Sequence, residues 1–149
     1  PPPSSPPRSN RRQRQMCIRD SLDEAGRLWI GGRMGHIVTT ASGPVTPVGI
    51  EHAVGELPEV VHAAAVGVGP AGTQQMIVVV VPNPPPSRPD LADEGLADRV
   101  RAQTDGVDVA AVLVAPALPV DKRHNSKIDR TRISRWAEGV LSGERMRNI

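Results

Sequence analysis

The chain has 149 residues, of which 38% are apolar and 23% charged, so it is long enough for one ordinary domain and too short for two. No apolar run approaches the roughly 18 residues that a spanning helix requires, which argues against a membrane protein. The single cysteine, Cys17, excludes an internal disulfide framework and a cysteine-based zinc cage. Because the N-terminal region also lacks a secretory signal pattern, the sequence predicts a reduced, cytoplasmic setting.

The net charge of +2 originates in the N-terminal region, since residues 1–21 hold five arginines and one aspartate. The other residues include 13 basic and 15 acidic side chains, so the body of the protein is slightly acidic. Residues 1–15 contain no Val, Ile, Leu, Met or aromatic side chain and cannot contribute to a core. Because the stretch RQRQMCIRDS at 12–21 also looks like translated junction sequence, we expect a disordered or foreign leader at 1–21, a domain at 22–142 and a short tail at 143–149.

Composition also argues against a nucleic-acid-binding protein. The slightly acidic body offers no broad positive field for a polyanion. Trp29 and Trp136 are the only aromatic residues, so platforms on which bases could stack are almost absent.

The predicted elements begin with a short strand at 27–30 and continue with a β-hairpin whose turn lies at 41–43. Thr46 and Pro47 are typical of a helix start, as N-cap and first helical residue. Apolar residues at helical spacing follow them, and Pro58 ends the predicted helix.

Three apolar runs predict buried strands at 60–68, 76–81 and 109–114, the first two of them paired as a hairpin. A polar helix capped by Asp90 separates the second strand from the third, and a last helix carries an apolar stripe over 133–141. This order predicts an α+β domain in which a β-hairpin is followed by a three-stranded sheet packed with about three helices.

Motifs that complete an active site by themselves are missing from the sequence. It contains no phosphate-binding GxxxxGK[ST], no GxSxG, no HExxH and no GxGxxG. The four histidines stand singly, without the spacing of metal ligands, so no metal site is predicted.

Two segments carry features typical of ligand contacts. Arg33 follows two glycines at the end of a predicted strand, where the backbone can approach a ligand or bend sharply. The segment 118–130 crowds basic side chains into a loop before a helix start, which suits a phosphate or carboxylate. Local sequence alone favours the simpler interpretations, namely a surface arginine beside a bulge and a solvated loop.

Three ordered segments resemble the C-terminal domain of the acyl-adenylate-forming (AMP-dependent) synthetases and ligases. LPVDKRHNSKIDR at 118–130 is similar to the terminal lysine motif of that family. DEAGRLWIGGR at 23–33 resembles the segment that enters the family's hinge, and GGRMGHIVTTASGPVTPVGIE at 31–51 resembles its hinge hairpin. The resemblance covers about 22–141, and it implies that the large N-terminal adenylation domain, with the phosphate loop and most of the acyl pocket, is missing here.

The resemblance implies an ATP-dependent reaction in which a fatty or other carboxylic acid becomes an acyl-adenylate and is then transferred to coenzyme A. Lys127 matches the catalytic motif lysine, and Arg33 matches the arginine that contacts the nucleotide ribose. Gly35 occupies the hinge position, where the family usually has Asp or Lys. The hairpin around Gly43 matches the face that replaces the lysine in the second step. ATP and Mg²⁺ would be bound mainly by the missing domain, and this fragment alone would be inactive.

The lysine segment departs from the family pattern. Ser126 stands where the family has Gly before the lysine, and Pro119 and Lys127 are two residues further apart than usual. The extra element at 123–125 resembles fatty-acyl ligases and olefin-pathway β-lactone synthetases, in which a β-hydroxyl attacks intramolecularly and no coenzyme A is used. A stand-alone module with the same small fold and no catalysis is a further alternative.

Overall fold

The structure is a computed structural model, which describes residues 18–22, 28–33, 36–121 and 124–149. Its strands are β1 (Ile18–Leu22), β2 (Leu28–Arg33), β3 (Val38–Thr40), β4 (Gly43–Val45), β5 (Val60–Val68), β6 (Gln75–Pro82), β7 (Asp90–Leu91), β8 (Val109–Val114), β9 (Val120–Asp121) and β10 (His124–Ile128). Its helices are α1 (Pro47–Gly55), α2 (Glu94–Ala102) and α3 (Arg130–Leu141).

The central sheet has four strands in the order β5-β6-β8-β7. β5 and β6 form an antiparallel hairpin, β6 and β8 run parallel, and α2 lies in the crossover between them. β6 is buried from Met76 to Val81, because helices and loops cover both faces of this inner strand. The three predicted strands and the α+β class are confirmed.

The sheet has one strand more than the sequence predicts, and α2 begins later. Asp90 lies in the two-residue edge strand β7, which pairs with the end of β8, so its predicted role as a helix cap is wrong. Asp93 caps α2 instead, and its Oδ1 accepts a hydrogen bond of 3.0 Å from the Leu96 amide. A two-residue strand needs only backbone pairing with a distant segment, so no local apolar pattern predicts it.

Alternating side chains of the sheet supply two apolar cores. Met76, Val78 and Val80 pack with apolar residues of α1 and α2 on one face. Ile77 and Val79 pack with α3 on the other face, where Ile133 and Ala137 are fully buried. The predicted stripe of α3 packs on this core through Val140, and only its last member, Leu141, is 45% exposed.

Three two-stranded hairpins accompany the sheet: β1 with β2, β3 with β4, and β9 with β10. The predicted hairpin before α1 is confirmed, although its first strand begins at Val38. Residues 18–21, assigned from composition to the leader, form most of β1 and pair with β2. Backbone hydrogen bonds of an antiparallel ladder do not require apolar side chains, which is why composition missed this strand.

The basic segment after β8 is a hairpin and not the predicted loop. β9 pairs with β10 through His124 with Asp121 and Ile128 with Val120, and the register shifts between these two pairs. Two residues of the extra element, His124 and Asn125, lie in this irregular part of β10, and Arg123 lies outside the described residues.

The last seven residues return to the domain. Trp136 Nε1 on α3 donates a hydrogen bond of 2.8 Å to the carbonyl oxygen of Arg147. Met146 and Ile149 pack against the core between α3 and the sheet. The tail predicted at 143–149 thus covers part of α3.

We expect the ion pair between Arg99 of α2 and Glu59 to make the free energy of unfolding depend on pH. A backbone hydrogen bond and, second, a hydrogen bond from Arg99 hold the pKa of Glu59 below its ordinary value. A lowered folded-state pKa stabilises the protein above the unfolded-state pKa of about 4.3, and this contribution disappears as the pH falls through the folded-state value.

Urea unfolding at pH 7 and pH 3 tests this expectation. At pH 7 Glu59→Gln should be less stable than the unmodified chain, and at pH 3 the two proteins should converge. Asp98→Asn is the control, because Asp98 is 70% exposed and its pair with Arg101 spans 3.6 Å. A stability difference between Glu59→Gln and the unmodified chain that is the same at both pH values would contradict the expectation.

Candidate functional site

Lys127 lies near the end of β10, between the paired positions where the strand register shifts. Its side chain is exposed, and no hydrogen bond or ion pair joins it to a residue whose side chain the structure describes. Irregular strand positions of this kind turn a side chain away from the regular ladder. Lys127 therefore presents an exposed ammonium at a corner between a hairpin and a helix.

The corner after Lys127 is fixed by the start of α3. The Asp129 amide donates a hydrogen bond of 2.9 Å to the Pro119 carbonyl oxygen. The Asp129 side chain caps α3 by accepting a hydrogen bond of 3.1 Å from the Arg132 amide. These two bonds hold the chain on both sides of the turn from strand to helix.

Arg130, the first residue of α3, forms a two-pronged ion pair with Glu51 of α1. Its Nε donates to Glu51 Oε1 at 2.8 Å, and its Nη2 pairs with Oε2. Glu51 Oε1 also accepts a hydrogen bond of 3.0 Å from the Ala65 amide on β5. The side chains of Arg130 and Glu51 are only 19% and 11% exposed. One carboxylate thus joins α1, the edge of the sheet and α3.

The hairpin of β3 and β4 is fixed to the turn between β5 and β6. Gln74 Oε1 accepts hydrogen bonds from the Thr39 amide at 2.9 Å and from Thr39 Oγ1 at 3.1 Å. Thr39 Oγ1 in turn accepts a bond of 2.8 Å from the Gly72 amide. At the tip, Gly43 has φ +122°, a conformation that L side chains rarely adopt.

A cleft of about 280 Å³ opens between residues 36–38, β5 and the first turns of α3, with Arg130 and Arg135 in its wall. Ser134 Oγ donates a bond of 2.7 Å to the Gly67 carbonyl oxygen and so ties α3 to β5. A Cβ at Gly67 would lie 2.7 Å from a methyl carbon of Val38. Glycine is therefore required here by the close approach of β3 to β5.

The structure describes three of the four predicted site residues and places them on different parts of the fold. Arg33 ends β2, opposite Ile18, while Gly43 and Lys127 lie on two separate hairpins. Gly35 lies outside the described residues. The sequence analysis did not predict the pairing of Glu51 with Arg130, and no local signal marks it, because the two residues are 79 positions apart.

The described residues were also compared with the requirements of a metal site and of a membrane-spanning helix, and they meet neither. In the described part of the chain, no three His, Cys, Asp or Glu side chains are grouped so as to hold a metal ion. None of the helices described is both long enough and apolar enough to cross a bilayer.

Comparison with known protein sequences finds two similar curated relatives, whereas no family model matches the chain. It is 37% identical over 120 residues to an olefin beta-lactone synthetase of Stenotrophomonas maltophilia, which covers 80% of this chain and 22% of that protein. The same identity holds over 118 residues with an olefin beta-lactone synthetase of Xanthomonas campestris, covering 78% and 21% of the two proteins. The chain spans about a fifth of the length of the curated relatives it matches.

Solved structures share the fold. ATP-bound MatB from Rhodopseudomonas palustris superposes with a TM-score of 0.65 at 22% identity, covering 83% of this chain and 24% of that one. A Mycobacterium tuberculosis fatty acyl CoA synthetase gives 0.62 at 18% identity, covering 84% and 24%. The anthranilate CoA ligase AuaEII, in complex with anthranoyl-AMP, gives 0.67 at 18% identity, covering 85% and 23%.

Proposed function

The chain matches the C-terminal domain of acyl-adenylate-forming enzymes, and we propose that it serves as the mobile small domain of an ATP-dependent ligase. The substrate is a fatty or other carboxylic acid, which the whole enzyme activates as acyl-AMP. A large N-terminal adenylation domain, absent from this chain, completes the site. The observation that carries the proposal is the exposed ammonium of Lys127 at the corner before α3. We also propose that the enzyme is located in the cytoplasm.

Lys127 acts in the first step. A carboxylate oxygen of the acid attacks the α-phosphorus of ATP, a new P–O bond forms, and the bond to the pyrophosphate oxygen breaks. Negative charge on the α-phosphate oxygens and the leaving pyrophosphate increases in the transition state. An exposed ammonium delivered to this position stabilises that charge, and it is most effective when it is already oriented. Mg²⁺ is held mainly by the N-terminal domain.

The other predicted residues act in binding and in the change of domain orientation. Arg33 contacts the ribose of the nucleotide. Gly35 is the hinge, where the absence of a Cβ permits a large change of backbone dihedral angles. After adenylation the small domain rotates, so that the β3–β4 hairpin with Gly43 faces the site in place of Lys127. The rigid attachment of this hairpin through Thr39 supports its movement as one body.

The second step has two candidate forms, each favoured by a different comparison. Fold neighbours described as CoA ligases or synthetases favour transfer of the acyl group to the thiol of coenzyme A. The relatives described as olefin beta-lactone synthetases favour a β-hydroxy acid instead. In that case the β-hydroxyl oxygen attacks the acyl carbonyl, the ring ester forms, and AMP leaves without coenzyme A.

The proposal can be tested with two proteins, the 149-residue chain and a longer protein that includes the upstream adenylation domain. We expect ATP–pyrophosphate exchange with fatty or 3-hydroxy fatty acids from the longer protein and none from the chain alone, which lacks the phosphate loop. Exchange by the chain alone, or no exchange by the longer protein with any carboxylic acid, would overturn it. A stand-alone binding module corresponds to the second of these results.

Product analysis then distinguishes the two second steps. A thioester that forms only when coenzyme A is added identifies acyl transfer. AMP release without coenzyme A, from the 3-hydroxy acid and not from the matched unsubstituted acid, identifies β-lactone formation.

A further inference from the structure

We propose that Glu51 is a positioning residue for Lys127, acting through Arg130; this inference rests on the proposed function. A flexible lysine side chain cannot orient itself, so the position of its ammonium depends on the backbone that carries it. The anchors of that backbone therefore decide how well the charge meets the reacting phosphate.

Three backbone or ion-pair anchors among the described residues hold the segment around Lys127, and Ile128 also packs against the core beneath α3. Ile128 pairs with Val120 of β9, and the Asp129 amide bonds to Pro119. Both partners belong to the same local hairpin region, so these anchors fix the segment only to itself. The third anchor, Arg130 to Glu51, connects the segment to α1, which follows the β3–β4 hairpin directly in the chain.

The third anchor has the geometry of a rigid joint. Both carboxylate oxygens of Glu51 engage the planar guanidinium fork of Arg130, which fixes direction as well as distance. The pair is mostly shielded from water, so it is screened less than a surface ion pair. The additional bond from the Ala65 amide holds the carboxylate itself against β5.

Loss of this joint should misplace Lys127 without removing it. Glu51→Gln keeps the size of the side chain and an oxygen for the Ala65 amide, but loses the charge that pairs with Arg130. A misplacement of about 1 Å is able to cost about a hundredfold in rate, so we expect a decrease of roughly ten- to a hundredfold in adenylate formation. Consumption of supplied acyl-adenylate, in which Lys127 takes no part, should stay within about twofold.

The experiment uses the longer protein and single-turnover kinetics of the two half-reactions. Glu51→Gln is compared with Lys127→Ala and with the control Glu59→Gln, which removes the more exposed ion pair to Arg99. Arg130→Lys is the milder second variant, because it retains the charge and loses the fork; it should slow only adenylate formation, and by less than Glu51→Gln. Hydrogen exchange of the amides at 127–131 should increase in Glu51→Gln, while the amides of β6 should stay protected.

The outcomes separate this inference from the function on which it rests. If Lys127→Ala leaves adenylate formation unchanged, the proposed role of the lysine is wrong. If Lys127→Ala slows that step but Glu51→Gln and Arg130→Lys do not, or slow both half-reactions equally, Glu51 has a structural role alone. Slowing of adenylate formation by Glu59→Gln to the same degree would equally overturn the inference.

Discussion

Replacement of Lys127 by alanine in the longer protein should slow acyl-adenylate formation by about 10²–10³ and leave consumption of a supplied acyl-adenylate nearly unchanged. Loss of one preorganised charged donor raises the barrier of the step it serves by roughly 3–4 kcal/mol. The charge that Lys127 stabilises develops only in the first step. Because the side chain is exposed, the substitution should change the free energy of unfolding by less than about 0.5 kcal/mol.

Single-turnover measurements of the two half-reactions test this result, with variants of neighbouring residues as controls. Lys127→Arg should restore little activity, because a planar fork does not replace a compact ammonium. Lys122→Ala and Arg123→Ala change nearby basic residues of the same segment and should have smaller effects. If both half-reactions slow equally, or if Lys122→Ala is the more damaging change, the alignment of the motif lysine across the longer segment is wrong.

Replacement of Ile133 by alanine should lower the stability of the chain far more than truncation of an exposed residue of the same helix. Ile133 is fully buried where α3 packs on Ile77 and Val79 of the sheet. Truncation of a buried isoleucine removes apolar contacts and leaves a cavity, which together cost about 2–5 kcal/mol. The free energy of unfolding in urea should fall by that amount.

Leu141→Ala is the matched control, because Leu141 lies on the same helix and is 45% exposed. It removes a side chain of the same number of carbon atoms, but nearly half of that surface already contacts water, so its cost should be smaller. Equal losses for the two variants would mean that α3 packs on the sheet through a different face.

The elements that were predicted correctly are those whose signal lies within one continuous segment. β5, β6 and β8 are apolar runs bounded by Gly or Pro, because buried strands need apolar residues on both faces. α1 begins at Thr46 and Pro47 as predicted, although the Thr46 side chain makes no capping bond. The resemblance that makes Lys127 the candidate lysine rests likewise on residues that are neighbours in the chain, and its role stays a prediction.

The elements that were missed depend on partners elsewhere. β7 and β9 have two residues each and exist only through backbone bonds to β8 and β10. Residues 18–21 were assigned to the leader, yet they pair with β2 through the backbone, which requires no core side chain.

The sequence by itself determined the fold class, the main strands and the identity of the candidate lysine, because apolar periodicity, breakers and motif residues are local properties. Only the tertiary structure decided how that lysine is held. Glu51 and Arg130 are 79 positions apart, and a charge pair at that separation forms only after the sheet has brought α1 and α3 together. Burial of most of both side chains then makes the pair directional, a property that depends on the surrounding atoms and not on residue type.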